Sequence, residues 1–425
     1  MKIAIIGTGI AGNVAAYQLH KHFDITVFEA NSYVGGHTHT HSIHMDGEEH
    51  NIDTGFIVFN RWTYPNFVGL LNELNVESQP SNMSFSVKCD RTGLEYNGAS
   101  INSLFAQRRN LFKASFHRMI RDILRFNEEA KQLLDTGDTS TTLGHYLRQN
   151  HYSREFIDYY IIPMGAAIWS SSPQIMMSFP ARFFIRFFNN HGMLNVHDRP
   201  TWYVIKNGSK SYVDKLTHNF QDKILLNTPI EWVRRFDTHV LVKPRGGEAM
   251  KFDYVFMACH SDQALNMLSD PTRDETTLLG AIPYQRNEAV LHTDHTMLPN
   301  KRLAWAAWNY HILKEDTDRV ALTYNMNSLQ NLKSRHTFCV TLNNTSAIDP
   351  KKILKRLEYH HPLFTLKGID AQTKQQDING PRRTYFCGAY WRNGFHEDGV
   401  VSALNAVKHF NRNLAYEKLH LYRAS

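Results

Sequence analysis

The sequence predicts an α/β protein built from two interleaved domains, and three observations carry that prediction. The apolar run "KIAII" leads into "GTGIAG" at residues 7–12 and a helical stretch, after which "DITVFEA" reads as a second strand. Strand signals then give way to a long helix-rich middle and return only after residue 200. The 425 residues, 42% of them hydrophobic, exceed what one compact core usually holds.

The opening is a βαβ unit, with a buried strand at residues 2–6 and a helix over residues 11–22. In such a unit Gly7 makes the tight bend, Gly9 lets the backbone approach a pyrophosphate, and Gly12 lets the helix pack close to the sheet. Ile10 and Ala11 stand at the start of the helix, whose free N–H groups and partial positive charge suit phosphates. Glu29 ends the second strand, just before Ala30, where a carboxylate can accept hydrogen bonds from an unphosphorylated ribose. The expected architecture is therefore Rossmann-like and binds a dinucleotide. At this step NAD and FAD are not separated.

Further along, "FKASFHRMIRDILRFNEEAKQLL" predicts a helix with Phe116, Ile120, Ile123, Leu124 and Phe126 near one face and Arg118, Arg121 and Arg125 on the other. "FPARFFIRFFNN", residues 179–190, sets five phenylalanines beside Arg182 and Arg186. That composition suits either a lipid interface or a buried helix with snorkelling arginines. In "NGSKSYVDKL" Ser209 is placed to cap a short helix, and "KILLN", "PIEWVRRF", "HVLVKP" and "FDYVFMAC" follow as strands. A mixed stretch over residues 262–379 includes strands at "VALTYNMN" and "HTFCVTLNN", and the chain closes with a strand, a glycine-containing loop and a helix. Residues 1–75, 200–265 and 380–425 are thus assigned to the dinucleotide domain, and residues 76–199 and 266–379 to an α+β substrate domain.

A net charge of +7 fits an anionic partner, such as a phosphorylated cofactor or a phospholipid surface, as well as an ordinary basic enzyme. No pattern points to nucleic acid. The four cysteines lie far apart without ligand spacing, which predicts a reducing compartment and no zinc site. "HTHTH" puts His37, His39 and His41 at strand spacing; a polar strand face beside the cofactor is favoured there over a metal site. The apolar opening is too short for a signal peptide, and no run of about 18 apolar residues occurs. A cytoplasmic protein is expected, with peripheral contact at the inner membrane face.

"EANSYVGGHTHT" adds a second close backbone approach at Gly35 and Gly36, followed by His37 and Thr38. With it the sequence resembles the FAD-dependent amine oxidase superfamily, which includes monoamine oxidases, phytoene desaturases and protoporphyrinogen oxidases. His37 stands where members commonly carry Arg. "NIDTGFIVFN" is similar to the family segment near the flavin, with Asp53, Gly55 and Phe56 matching, and "KNGSKSYVDKL" to its second FAD segment, with Asn207 at a family glycine. "NTPIEWVRR" matches the adenine-side strand at Ile230, "FDYVFMACHSD" the returning strand at Ala258, and "CGAYW" keeps Gly388. "GFHEDGVVSA" resembles the family's last helix start, with Gly394, Phe395, His396, Glu397 and Gly399 in place and Asp398 at a family glycine.

The resemblance implies FAD as cofactor, a GR2-type FAD-binding domain, and hydride transfer from substrate to flavin N5. It implies Phe395 as one wall of the substrate site. The imidazole of His396 suits a proton acceptor if its ring faces the flavin, and is structural if the residue presents its backbone N–H there instead; Glu397 is the second choice as base. Lys301 is the nearest candidate for the amine oxidases' water-bridging lysine. A narrower likeness, to a bacterial branch associated with methylated and furan fatty acids, points to desaturation of a fatty acyl or lipid-linked substrate. A small-amine oxidase and a non-redox flavin isomerase are the alternatives.

Overall fold

The computed structural model describes residues 1–315 and 318–424 of the chain. Its first sheet is parallel throughout, in the order Ile224–Leu225, Asp24–Phe28, Lys2–Ile6, Tyr254–Met257, Thr384–Phe386. The two-residue period of a strand explains why "KIAII" is apolar at nearly every position. Ile3 and Ile5 face a core shared with the helices Ile10–Leu19 and His396–Ala424. Ala4 and Ile6 face a second core, shared with the small antiparallel sheet of Ile230–Arg235, Val240–Pro244 and Met250–Phe252.

A seven-stranded sheet forms the other main layer, in the order Ile353–Pro362, Tyr284–His292, Cys339–Leu342, Leu322–Asn325, Trp308–Ile312, Phe85–Cys89, Leu94–Asn97. Its pairs are antiparallel except Trp308–Ile312 with Phe85–Cys89. The helices between residues 101 and 190 cover it and share its core. No described helix is long and apolar enough to cross a membrane.

One open choice closes and two local expectations change. The phenylalanine-rich stretch is the helix Ala181–Asn190 with its approach, and Phe179, Phe184, Phe187 and Phe188 are buried. Arg182 turns back to donate to the Leu134 carbonyl at 2.8 Å, so this segment is core and not a lipid interface. Ser209 precedes Lys210–Thr217 but caps nothing with its side chain; its hydroxyl donates to Asp53 at 2.7 Å. On Ala114–Glu129, Phe116 and Phe126 are buried as expected, whereas Leu124 is 52% exposed.

Candidate active site

The carboxyl ends of four parallel strands open onto one cavity of about 1330 Å³, at Gly7, Glu29, Ala258 and Gly388. This is where an open α/β sheet offers helix N–H groups to a ligand. Gly7 sits at φ +105°, and a Cβ there would lie 2.9 Å from the Ala258 carbonyl oxygen. Gly9 is different: its φ is −62°, and nothing lies within 4 Å of where its Cβ would be. It is the N-cap of Ile10–Leu19 and caps no N–H itself, so the first turn presents open donors to the cavity. Gly36 closes the opposite wall, its Cβ position 3.0 Å from the Gly9 Cα. A pyrophosphate fits the open seat beside Gly9, which a side chain there would fill, while Gly36 packs directly on Gly9.

Beyond that seat, the buried Glu29 carboxylate accepts from the Thr8 N–H at 3.0 Å, the Thr8 hydroxyl, and the Asn31 N–H at 2.8 Å. Ala30, Asn31, Ile230 and Arg245 complete this end of the cavity. His37 lines it further in, its Nε2 buried without a hydrogen-bond partner. Burial, reinforced by His260, pushes its imidazole down to about 3, so a neutral ring stands where the family commonly carries a cation. His39 and His41, with rings 4.1 Å apart, lie outside the cavity lining.

At the centre, His396 is held from three sides. Its ring stacks on Phe56 with centroids 3.5 Å apart, and its Nε2 lies 2.9 Å from both the Thr38 and Tyr212 hydroxyls. Burial keeps its pKa well below that of a free imidazole. A ring clamped by two hydroxyls and already hydrogen-bonded at Nε2 positions the wall of the site, which is the structural one of its two expected roles. Glu397 is corrected more sharply. Its carboxylate accepts from the Asn66 N–H at 3.1 Å and the Phe67 N–H at 2.9 Å, capping Pro65–Glu73, and it does not line the cavity.

Of the other expected cofactor contacts, Gly35, Gly55, Phe56, Ala258, Gly388 and Gly394 line the cavity along with Ile10 and Ala11. Thr38, Gly12 and Gly399 do not. Thr38 turns its hydroxyl to Tyr212 at 2.7 Å. A Cβ at Gly12 would stand 1.9 Å from the Gly7 oxygen, and one at Gly399 would stand 2.6 Å from the Ile10 side chain. Both glycines let elements pack and are not cofactor contacts. Lys301 is outside the cavity as well, its backbone N–H on Glu95 at 2.9 Å.

Phe395 does form a wall, stacked on Phe187 with centroids 5.1 Å apart. Beside them lies His191, which the sequence reading missed because "NNHGM" carries no motif. It is buried, lines the cavity, and stacks on Phe187 at 3.9 Å. Its Nδ1 lies 2.9 Å from the Phe187 carbonyl oxygen, which can only accept, so Nδ1 carries the proton and Nε2 is the ring's acceptor. Burial, opposed by that carbonyl, pushes its pKa down to about 4.

From this point the cavity continues between the helices, past Met164, Ile168 and Trp169 to Ile120, Ile123 and the exposed Leu124. Among the described lining residues the carboxylates are Glu29, Glu231 and Glu358, and none comes from residues 57–199. Arg199 is the one cation of that half, exposed at its rim.

A family model described as flavin containing amine oxidoreductase matches residues 10–309. No curated protein matches the sequence. Among solved structures, the chain is similar to cyclohexylamine oxidase from Brevibacterium oxydans IH-35A, at TM-score 0.69 and 15% identity over 97% of this chain and 99% of that one. It is similar to putrescine oxidase bound to putrescine, at TM-score 0.68 and 15% identity over 97% and 99%. A CLA-producing fatty acid isomerase from P. acnes aligns at TM-score 0.69 and 16% identity over 96% and 98%.

Proposed function

The chain belongs to the flavin containing amine oxidoreductases and is an FAD-dependent oxidoreductase, and from that premise we propose that it dehydrogenates a long acyl chain. The observation that carries this reading is the part of the lining supplied by residues 57–199, which is largely apolar and holds no carboxylate. An ammonium substrate brought there would lose its water without gaining a carboxylate, which burial of a charge does not permit cheaply. An alkyl chain gains by the same burial, at about 0.8 kcal/mol per CH₂.

FAD, when bound, would supply the two-electron acceptor for the hydride that the dehydrogenation releases. Gly9, Gly36 and Glu29 would hold its nucleotide end, and the Phe56-stacked His396 shapes a wall of the cavity. Phe395 and Phe187 confine the chain and exclude water. Desaturation removes a hydride and a proton from adjacent carbons, and His191 Nε2 is the acceptor this geometry offers for the proton. Arg199, whose Nε is fixed on the Asn195 carbonyl at 2.7 Å, stands at the rim to meet the anionic head of the substrate.

Anaerobic mixing of the FAD-loaded protein with long-chain fatty acids, phospholipids and amines tests the reading. Bleaching of oxidised flavin by the acyl compounds, with one new double bond per flavin reduced, is the expected result. Bleaching by amines alone overturns it, as does double-bond migration without consumption of an electron acceptor.

A further inference from the structure

Between Glu95 and Asp122 the chain has no acidic residue, while it carries Arg108, Arg109, Lys113, Arg118 and Arg121. Arg118 pairs with Glu155. Arg108 and Arg109 are satisfied by backbone carbonyls and the Asn102 amide, which leaves their charge uncompensated. Out of the same stretch project Phe112, 90% exposed, Ile101, 79% exposed, and Leu111, 44% exposed. These are not frayed ends. Ser100 and Ser103 form a capping box around Ile101–Leu104, and Arg108 ties the following turn to Asn102 and Phe105.

The patch borders the mouth of the cavity. Ala99 and Leu104 flank Ile101 and line the cavity, and Leu124 lines it while half exposed on the next helix. The lining also includes two exposed residues of another segment, Val196, 58% exposed, and Arg199. Apolar anchors ringed by unpaired cations match a bilayer with anionic headgroups, where rings insert and basic side chains meet phosphate. Nucleic acid would match the charge but leave Phe112 and Ile101 in water.

We propose that residues 101–124 form a docking surface for an anionic phospholipid membrane, which seats the cavity mouth on the bilayer. Docking stands on this surface alone. That the substrate chain passes from bilayer to cavity through the mouth rests on the acyl reading above.

The test is co-sedimentation of the full-length FAD-loaded protein with vesicles of phosphatidylcholine, with and without phosphatidylglycerol. Binding only to the mixed vesicles, weakened by salt, is expected. Phe112→Ser lowers the affinity roughly tenfold or more. The triple change Arg108→Gln, Arg109→Gln, Lys113→Gln lowers it roughly a hundredfold, at about fivefold per charge. Arg186→Gln, on the buried phenylalanine-rich helix, leaves it unchanged. Flavin absorbance and the thermal midpoint show that each variant is folded. No sedimentation, or equal binding by all variants, overturns the proposal, and so does a concentration-dependent dimer that Phe112→Ser dissolves. Vesicle binding without acyl turnover would sink the acyl reading and leave docking intact.

Discussion

Single residues separate chemistry from support here. His191 and His396 are both buried imidazoles stacked on aromatic rings, Phe187 and Phe56 respectively, but their hydrogen bonds differ. His191 spends its Nδ1 proton on a carbonyl and keeps Nε2 as an acceptor, whereas His396 has Nε2 engaged by two hydroxyls. His191→Gln is expected to lower kcat by roughly 10²–10⁴-fold with flavin content unchanged. Unprotonated above pH about 4, His191 adds no acid limb to the rate profile in the neutral range. An unaltered kcat would remove His191 from the reaction. Glu397→Gln should do the reverse, keeping kcat and costing about 1–3 kcal/mol of stability in denaturant titration, because an amide cannot accept at both oxygens from the Pro65–Glu73 helix. A collapse of kcat with full stability would restore Glu397 as a catalytic residue.

Among the elements, the opening glycine turn makes a prediction that distinguishes fold from function. Gly9 has an ordinary negative φ of −62° in extended backbone and free space at its Cβ, so Gly9→Ala should fold normally and lose FAD, seen as a colourless protein with the thermal midpoint of the wild-type apoprotein. Gly12→Ala drives a methyl to 1.9 Å from the Gly7 oxygen and should destabilise the turn itself. Equal effects of the two changes would contradict this division. The βαβ unit was legible in the sequence because its demands are local: a strand period, a positive φ, a helix start. The lining of the substrate half was not legible. Leu124 sits on the predicted apolar face of its helix yet reaches solvent, since periodicity reports a face and not what covers it.

At the scale of the whole molecule, both ends of the chain close one site: Ile10–Leu19 and His396–Ala424 pack together where Gly399 meets Ile10. This close packing also strands imidazoles in the interior, with consequences for stability. His191, His292 and His396 all have pKa values lowered by burial. As pH falls below about 6.5 the unfolded chain takes up protons that these rings in the fold refuse, and each removes up to about 1.4 kcal/mol per pH unit until its own folded value is reached. Asp53 and Asp398, raised to about 6 chiefly by burial, act in the opposite sense, because the folded state then holds their protons more tightly. His37, His260 and His361 add to the imidazole side. The thermal midpoint should therefore fall between pH 6.5 and about 4, and a midpoint flat across that window would contradict the burial of these rings. The sequence by itself determined the dinucleotide turn, the strands that carry it and the family likeness, since each depends on residues a few positions apart. Only the tertiary structure decided that Glu397 caps a helix 330 residues away, that His396 is clamped, and that His191 commits Nδ1 to the Phe187 carbonyl and keeps Nε2 as its acceptor. Those roles depend on contacts between distant segments, where the identity of a residue says what it can do and packing says which of its groups is left to do it.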